Sequence, residues 1–352
     1  MFGVKKLKIL VWSVTISSLL LSCAEEQSEA TEIHGETQGT TYTIIFSDGN
    51  PEIEKSQIDS IFHAFDLSLS TYVDSSVISQ LNNCEKSITI KDESSYLKDC
   101  YEQSQEIYAL SDGAFDPSVF PLVKGWGFMN NMETPLSQSE VDSILTFVSF
   151  DEGKHHSILF SKNDKTEISY TKNHPNFKLD FNAIAQGLSV DVIDKYLSEQ
   201  GCENYYVEIG GEIIVRGVNA EGDKWRIGVD TPVENLNTRE LENIIHVSNK
   251  GIATSGNYRK FYVHDGIKYA HTLNPKTGFP AQRSLLSATV VADECSKADA
   301  YATAFMVMGM EEAMEFVESH PQEKLEIYLL YSDKDGNIQR KMSKGFEKYL
   351  KE

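Results

Sequence analysis

Between Tyr205 and Ala292 short apolar runs follow one another with only turn residues between them. They are Tyr205–Ile209, Glu212–Arg216, Trp225–Val229, Ile244–Val247, Phe261–His264, Lys268–Leu273 and Leu286–Ala292. Short strands joined by short turns pair antiparallel, because a parallel pair needs a long crossover. Residues 41–46 and Leu325–Tyr331 read as further strands. Helical spacing lies in other stretches. Glu52 to Asp66 places Ile53, Ile58, Ile61, Phe62 and Phe65 on one side, and Tyr96 to Leu110 runs to a stop at Gly113. Ser137 to Glu140 has the form of a capping box. Asn182 to Gln200 carries the clearest stripe (Ile184, Leu188, Val192, Ile193, Tyr196, Leu197) and ends at Gly201. Lys297–Met308 and Glu311–Ser319 are late helices. Helices and strands segregate rather than alternate, which predicts an α+β fold with a largely antiparallel sheet and packed helices. The sequence has no internal repeat and no Gly/Pro-rich linker, so one compact domain is expected.

The N-terminus is organised differently. Lys5, Lys6 and Lys8 precede an apolar run from Ile9 to Leu21, too short for a comfortable membrane span but right for an export signal. Leu20-Leu21-Ser22-Cys23 closes it and resembles a bacterial lipoprotein signal, in which Cys23 is lipidated and becomes the first residue. A plain signal peptide with an incidental cysteine is the other reading. Acyl chains supply roughly 0.8 kcal/mol per buried CH₂, so several of them anchor firmly. The expected organisation is a signal over 1–22, an acidic tether over 23–36 and a catalytic domain over 37–352. The expected location is the bacterial cell envelope, lipid-anchored to a membrane, with the domain outside the cytoplasm. An exported compartment permits disulfides. Of Cys84, Cys100, Cys202 and Cys295 only the first two lie close in sequence; otherwise all are free thiols.

Charge narrows the function. The chain has 53 acidic against 32 basic residues, a formal net charge of −21. Such a surface repels phosphate backbones, so nucleic-acid binding is excluded as a general activity. A small anion in one local pocket is not.

Several segments carry more polarity and glycine than packing requires. Ser111 to Pro117 leads to Gly125-Trp126-Gly127-Phe128; Asp and Gly there make turns, and an aromatic beside an acid could hold a flat heterocycle. Asp180 stands before a helix whose Ala183, Ala185 and Gly187 leave room for close approach. Ala253 to Arg259 combines hydroxyls, turn amides and a guanidinium, a set that can hold phosphate oxygens. His271, opening the run to Gly278, can titrate near neutrality and act as a base. Asp299 and Thr303 lie four apart on one helix face, oxygen donors suited to a hard cation such as Mg²⁺. Each segment alone also has a structural explanation as a cap, a turn or a surface pair.

Together they resemble the ApbE family, the FAD:protein FMN transferases. The resemblance runs from Gly39 to about Gly309 and rests on blocks in family order. These are Gly39–Tyr42, Ser70–Tyr72, Gly113–Pro117 with Trp126–Phe128, Asp180–Gly187, Glu208–Gly211, Thr254–Tyr258, His271–Gly278 and Ala298–Thr303. The resemblance implies FAD as substrate, Mg²⁺ as cofactor, and transfer of FMN to a threonine or serine of a target protein with release of AMP. Flavin and adenine contacts would come from Tyr72, Ala114, Phe115, Asp116, Asp180 and Leu273. Thr254, Ser255 and Gly256 would lie along the pyrophosphate. The main-chain oxygen of Ala183, the Asp299 carboxylate and the Thr303 hydroxyl would hold the metal, and His271 would be the base. The implied acceptors are flavin-carrying subunits of membrane electron-transfer complexes or exported flavoproteins.

The chemistry is consistent. A pyrophosphate resists a neutral hydroxyl because its oxygens are already negative, and a divalent cation offsets that charge. Three positions depart from the family pattern: Gln38 replaces a usual Met, Gln186 a usual Lys, and Asn274 a usual Asp. Two other functions remain open to the sequence: a Mg²⁺-dependent FAD pyrophosphatase giving FMN and AMP, or a non-catalytic FAD-binding lipoprotein.

Overall fold

The computed structural model describes residues 30–48, 52–129, 134–162, 166–232, 241–257, 261–281 and 284–351. Cys23, Tyr258 and Arg259 lie outside them. The chain opens with a hairpin, β1 (Thr31–Thr37) and β2 (Thr40–Phe46). Its tip residues Gln38 and Gly39 both have positive φ, 52° and 74°, the combination that matches the twist of a two-residue hairpin. Helices α1 (Lys55–Leu69) and α2 (Val77–Asn83), strand β3 (Ser87–Lys91) and helix α3 (Tyr96–Leu110) follow. Short helices α4 (Phe120–Gly125) and α5 (Gln138–Leu145) come next, α5 opened by the Ser137/Glu140 capping box. Then come β4 (His156–Phe160), β5 (Glu167–Lys172) and the long α6 (Asn182–Glu199).

A nearly all-β stretch succeeds it: β6 (Tyr205–Ile209), β7 (Glu212–Arg216), β8 (Trp225–Asp230), β9 (Leu241–Val247), β10 (Lys250–Gly256), β11 (Phe261–His264), β12 (Ile267–Ala270) and β13 (Leu285–Ala292). The chain closes with α7 (Cys295–Met308), α8 (Met310–Ser319), β14 (Glu326–Ser332) and β15 (Ile338–Met342). Eight strands form one sheet in the order β1-β2-β6-β7-β10-β13-β14-β15, every neighbouring pair antiparallel. Smaller antiparallel sheets are β3-β5-β4, β8-β9 and β11-β12. The fold is α+β, as the sequence predicts.

Alternation along the central strands separates two cores. Ala253, Ala288, Val290 and Leu329 face α3 and α7. Their neighbours Ile252, Val291, Tyr328 and Leu330 face the β8-β9 ribbon and the C-terminal turn with Phe346 and Tyr349. Strands β2, β6 and β7 pack Ile44, Val207 and Ile214 on α1 and α6. Helix α7 is buried on nearly every side, which its alanines at 298, 300, 302 and 304 permit. Its first turn is wedged between two glycines. A Cβ on Gly187 of α6 would stand 2.6 Å from the Cys295 carbonyl oxygen, and one on Gly251 of β10 would stand 2.5 Å from the Cys295 nitrogen.

One boundary differs from expectation. The acidic stretch expected as tether through Glu36 is strand from Thr31 onward. Only Ile33 and Thr37 of β1 are buried, so its sequence looks like tether although its backbone pairs along β2. Cys84, Cys100, Cys202 and Cys295 are all free thiols. Among the described residues no helix is long and apolar enough to cross a membrane.

Candidate active site

Asp299 and Thr303 lie on α7 where it crosses α6. The Gly187 amide of α6 donates to Asp299 Oδ2 at 3.0 Å. One turn further along α6, Asp191 accepts from the Cys295 and Ser296 amides at 2.8 and 2.9 Å and caps α7. Advancing one turn along α6 therefore retreats one turn along α7, so the helices run antiparallel. The same register carries Ala183, one turn before Gly187, toward Thr303, one turn after Asp299. The three expected metal donors thus fall on the facing sides of one helix pair.

Asp299 is only 6% exposed. Burial holds its carboxyl well above the usual carboxylate range; the Gly187 amide lowers it, and the nearby Asp191 carboxylate raises it further. Among the described residues no basic side chain appears among the groups that set it. A buried carboxylate that accepts from a backbone amide and has a second carboxylate nearby is stabilised by a cation, and a carboxylate, a hydroxyl and a carbonyl are the hard oxygen donors that Mg²⁺ takes. The donor chemistry therefore fits. It is not a multi-carboxylate or histidine site: among the described residues no three His, Cys, Asp or Glu side chains stand together for a metal.

Strand β10 brings the Ser255 hydroxyl to the same place, with Ser255 Oγ 3.2 Å from Thr303 Oγ1. Thr254, expected beside it, faces the other side of the sheet because successive strand residues alternate, and its Oγ1 lies 2.8 Å from Thr289 Oγ1 of β13. The β6-β7 turn with Gly210 and the β1-β2 tip complete this rim of the sheet. Gln186 packs against Gly210, whose φ of 63° and lack of a Cβ leave room for it. Gln38 Oε1 accepts from Ser189 Oγ at 3.4 Å, while its Nε2 is buried without a partner. The two departures at Gln38 and Gln186 therefore sit in one corner of the site.

A second group of loops adjoins it. Asp116 caps a short 3₁₀ turn, accepting from the Ser118 amide and hydroxyl at 2.7 and 2.6 Å, and burial pushes its carboxyl up to about 6. The Asp180 amide donates to the Pro117 carbonyl at 2.8 Å, joining this loop to the start of α6. Asp180 itself accepts from the Asn182 amide at 2.8 Å, and burial pushes it up to about 6. Ala114 and Phe115 pack in the helical core and Leu273 in the core around Trp126, so the Phe115 ring does not present an open face to a heterocycle. Tyr72 is 75% exposed and does.

His271 follows β12 directly. The chain after it folds into a tight hairpin, with bonds from Ala281 to Thr272 at 2.9 Å and between Asn274 and Phe279 at 2.8 Å. Asn274 Oδ1 accepts from the Lys276 and Thr277 amides, so Asn serves this turn as Asp would. Lys276 pairs with Asp112 across the gap to the other loop. A cleft of about 690 Å³ lies on one side, lined by Tyr108, Asp116 and Lys276 among others, and one of about 460 Å³, lined by Ala114, Asn274 and Val307, on the other. Sequence reasoning missed Asp191 and Gly251, which seat α7. Asp191 shares a helix face with Gly187, but the amides it caps lie more than a hundred residues away, so its own neighbourhood does not reveal the role.

The α+β scaffold thus carries oxygen donors at one rim of the main sheet and, separately, a histidine-bearing hairpin. The chain belongs to the ApbE family, whose model matches residues 38–329. The FAD:protein FMN transferase of Vibrio cholerae is 32% identical over 344 residues, 96% of this chain and 98% of that protein. The FAD:protein FMN transferase of Haemophilus influenzae is 30% identical and covers 94% of each. The solved flavin transferase ApbE from Vibrio cholerae superposes with a TM-score of 0.78 at 30% identity, covering 92% of this chain and 99% of that one. The apo flavinyl transferase ApbE of Pseudomonas stutzeri gives 0.76 at 26% identity, covering 92% and 97%.

Proposed function

We propose that this protein transfers FMN from FAD to a threonine or serine hydroxyl of an acceptor protein and releases AMP. The observation that supports the reading most is the α6-α7 crossing, where the Gly187 amide of α6 meets Asp299 and Thr303 lies beside Ser255. Relatives of nearly equal length bear the name FAD:protein FMN transferase.

Bound Mg²⁺ would offset pyrophosphate charge and stabilise the departing AMP oxygen. Asp299, Thr303 and the Ala183 carbonyl would hold it. Ser255 would offer its hydroxyl along the phosphates, and exposed Tyr72 would offer a ring face to the flavin. His271 takes the proton from the acceptor hydroxyl. That oxygen forms a bond to the phosphorus on the flavin side, and the bridging P–O bond breaks toward AMP. A positioned base of this kind contributes on the order of 10²–10⁴-fold. The acceptors are flavin-carrying subunits of membrane electron-transfer complexes or exported flavoproteins, met at the membrane by a body anchored through Cys23.

The test is incubation of the soluble body with FAD, Mg²⁺ and a candidate acceptor. Covalent fluorescent flavin on a denaturing gel, with AMP in equal amount, is expected. Free FMN and AMP at the same rate without acceptor would mean a hydrolase. Bound FAD with no AMP would mean a carrier.

A further inference from the structure

Trp126 is 1% exposed, and the proposed chemistry gives it no part. Its indole Nε1 donates to the Gly278 carbonyl at 2.7 Å, at the tip of the hairpin that follows His271. Its ring stacks on Tyr269 at 5.7 Å and 29°, two residues before His271. It also meets Phe279 edge-on at 5.5 Å. One side chain thus holds the chain on both sides of His271.

The rest of the hairpin is shaped to this contact. Leu273 packs with Trp126, Leu122, Val141 and Val148. Gly278 has a φ of 74°, and a Cβ there would press on the Val141 side chain, so glycine suits the tip that presents its carbonyl to the indole. The other tie, Lys276 to Asp112, joins two exposed side chains and is weak by nature. A buried indole N–H bonded to a backbone carbonyl is a rigid tie, and losing it leaves that carbonyl without its partner.

We infer that Trp126 is a positioning residue for the transfer reaction, fixing the segment that carries His271 so that the imidazole meets the acceptor hydroxyl. This rests on the reading of His271 as the base. A displacement of about 1 Å at a reacting group costs about 10²-fold in rate. The effect belongs in kcat rather than in FAD binding.

The test is Trp126→Phe, which keeps a stacking ring and removes the N–H donor. Transfer to the acceptor is followed at saturating FAD and Mg²⁺, beside FAD affinity and the melting temperature. A fall in kcat of about tenfold or more, with FAD affinity within about twofold, is expected. Gly278→Ala breaks the same contact from the other side. Combined with Trp126→Phe it should add little, because one contact cannot be lost twice. An unchanged kcat in Trp126→Phe overturns the inference. So does a fall matched by an equal loss of FAD affinity, which would make Trp126 merely structural. If Trp126→Phe does not fold, Trp126→Tyr is read by the same criteria. His271→Ala run in parallel separates the two levels. If it transfers at the wild-type rate, the base assignment fails; if it is inactive while Trp126→Phe is unimpaired, only the positioning role fails.

Discussion

Gly187→Ala is a small change placed where the site is least able to absorb it. The new methyl would stand 2.6 Å from the Cys295 carbonyl oxygen, 2.8 Å from Ser296 Cα and 2.9 Å from Asp299 Cβ. Ordinary contact begins near 3.4 Å, and these atoms are backbone or Cβ, so none can rotate aside. The helices must part by roughly half an ångström or more. Overpacking of this kind costs about 1–3 kcal/mol. Alanine returns about 1 kcal/mol of helix propensity. The net loss is therefore about 0–2 kcal/mol, a few degrees in melting temperature at most. The proposed metal site would be affected more strongly. The 3.0 Å bond from the Gly187 amide to Asp299 lengthens beyond hydrogen-bonding range, and α6, with the proposed Ala183 donor, shifts relative to Asp299. Mg²⁺ demands donor distances of about 2.0–2.1 Å and tolerates little error. The expected result is a rise of about tenfold or more in the Mg²⁺ concentration for half-maximal transfer, with a melt only slightly lowered without metal. The assay is covalent flavin on a denaturing gel against Mg²⁺, beside thermal melts with and without the ion. A variant with the wild-type Mg²⁺ curve would refute the argument that the glycine contact sets the ligand spacing.

Other perturbations test separate parts. Asp299→Asn keeps an oxygen for the Gly187 amide and should lower Mg²⁺-dependent transfer by about 10²-fold or more with the fold intact; persistent transfer removes the metal assignment. His271→Ala should slow transfer by about 10²-fold or more while leaving FAD affinity nearly unchanged, measured by equilibrium binding beside the gel assay. Asp180 is held up to about 6 by burial, against about 3.9 unfolded. Its contribution therefore favours the fold below about pH 4 and is lost as pH rises through about 6. The melting temperature of Asp180→Asn relative to wild type should be highest near about pH 7 and decline toward about pH 4, spanning at most about 3 kcal/mol; a constant offset rejects the burial argument. Cys23→Ser should move the protein from the membrane pellet to the soluble fraction, and unchanged pelleting would exclude the lipid anchor.

The elements that sequence reasoning found are those whose signal is local. Asn182 to Gln200 declares itself by its own stripe, Ser137 by Glu140 three residues on, and Leu286 to Ala292 by a short run in which only Ser287 and Thr289 are polar. Strand β1 does not, because an edge strand buries two side chains and is held by backbone pairing that any sequence can make. Strand β3 lacks a sequence signal for a related reason: it has no fully buried residue, so its alternation carries little contrast.

The site divides along the same line. Asp299 and Thr303 were legible as a pair because their spacing is set by one helix. What makes them a site is the approach of α6, and that depends on Gly187, Gly251 and Asp191. A glycine does not name the backbone that will pass over it. Asp191 caps a helix whose first amide lies 104 residues away, so its role has no signature in its own neighbourhood. The same limit explains Phe115. An aromatic beside Asp116 reads as a ligand platform or as core with equal ease, and only the packing of α3, α6 and α7 assigns the ring to the interior. Composition and spacing could therefore nominate donors for this chemistry, while the distances that let them act together come from three small or acidic residues with no chemistry of their own.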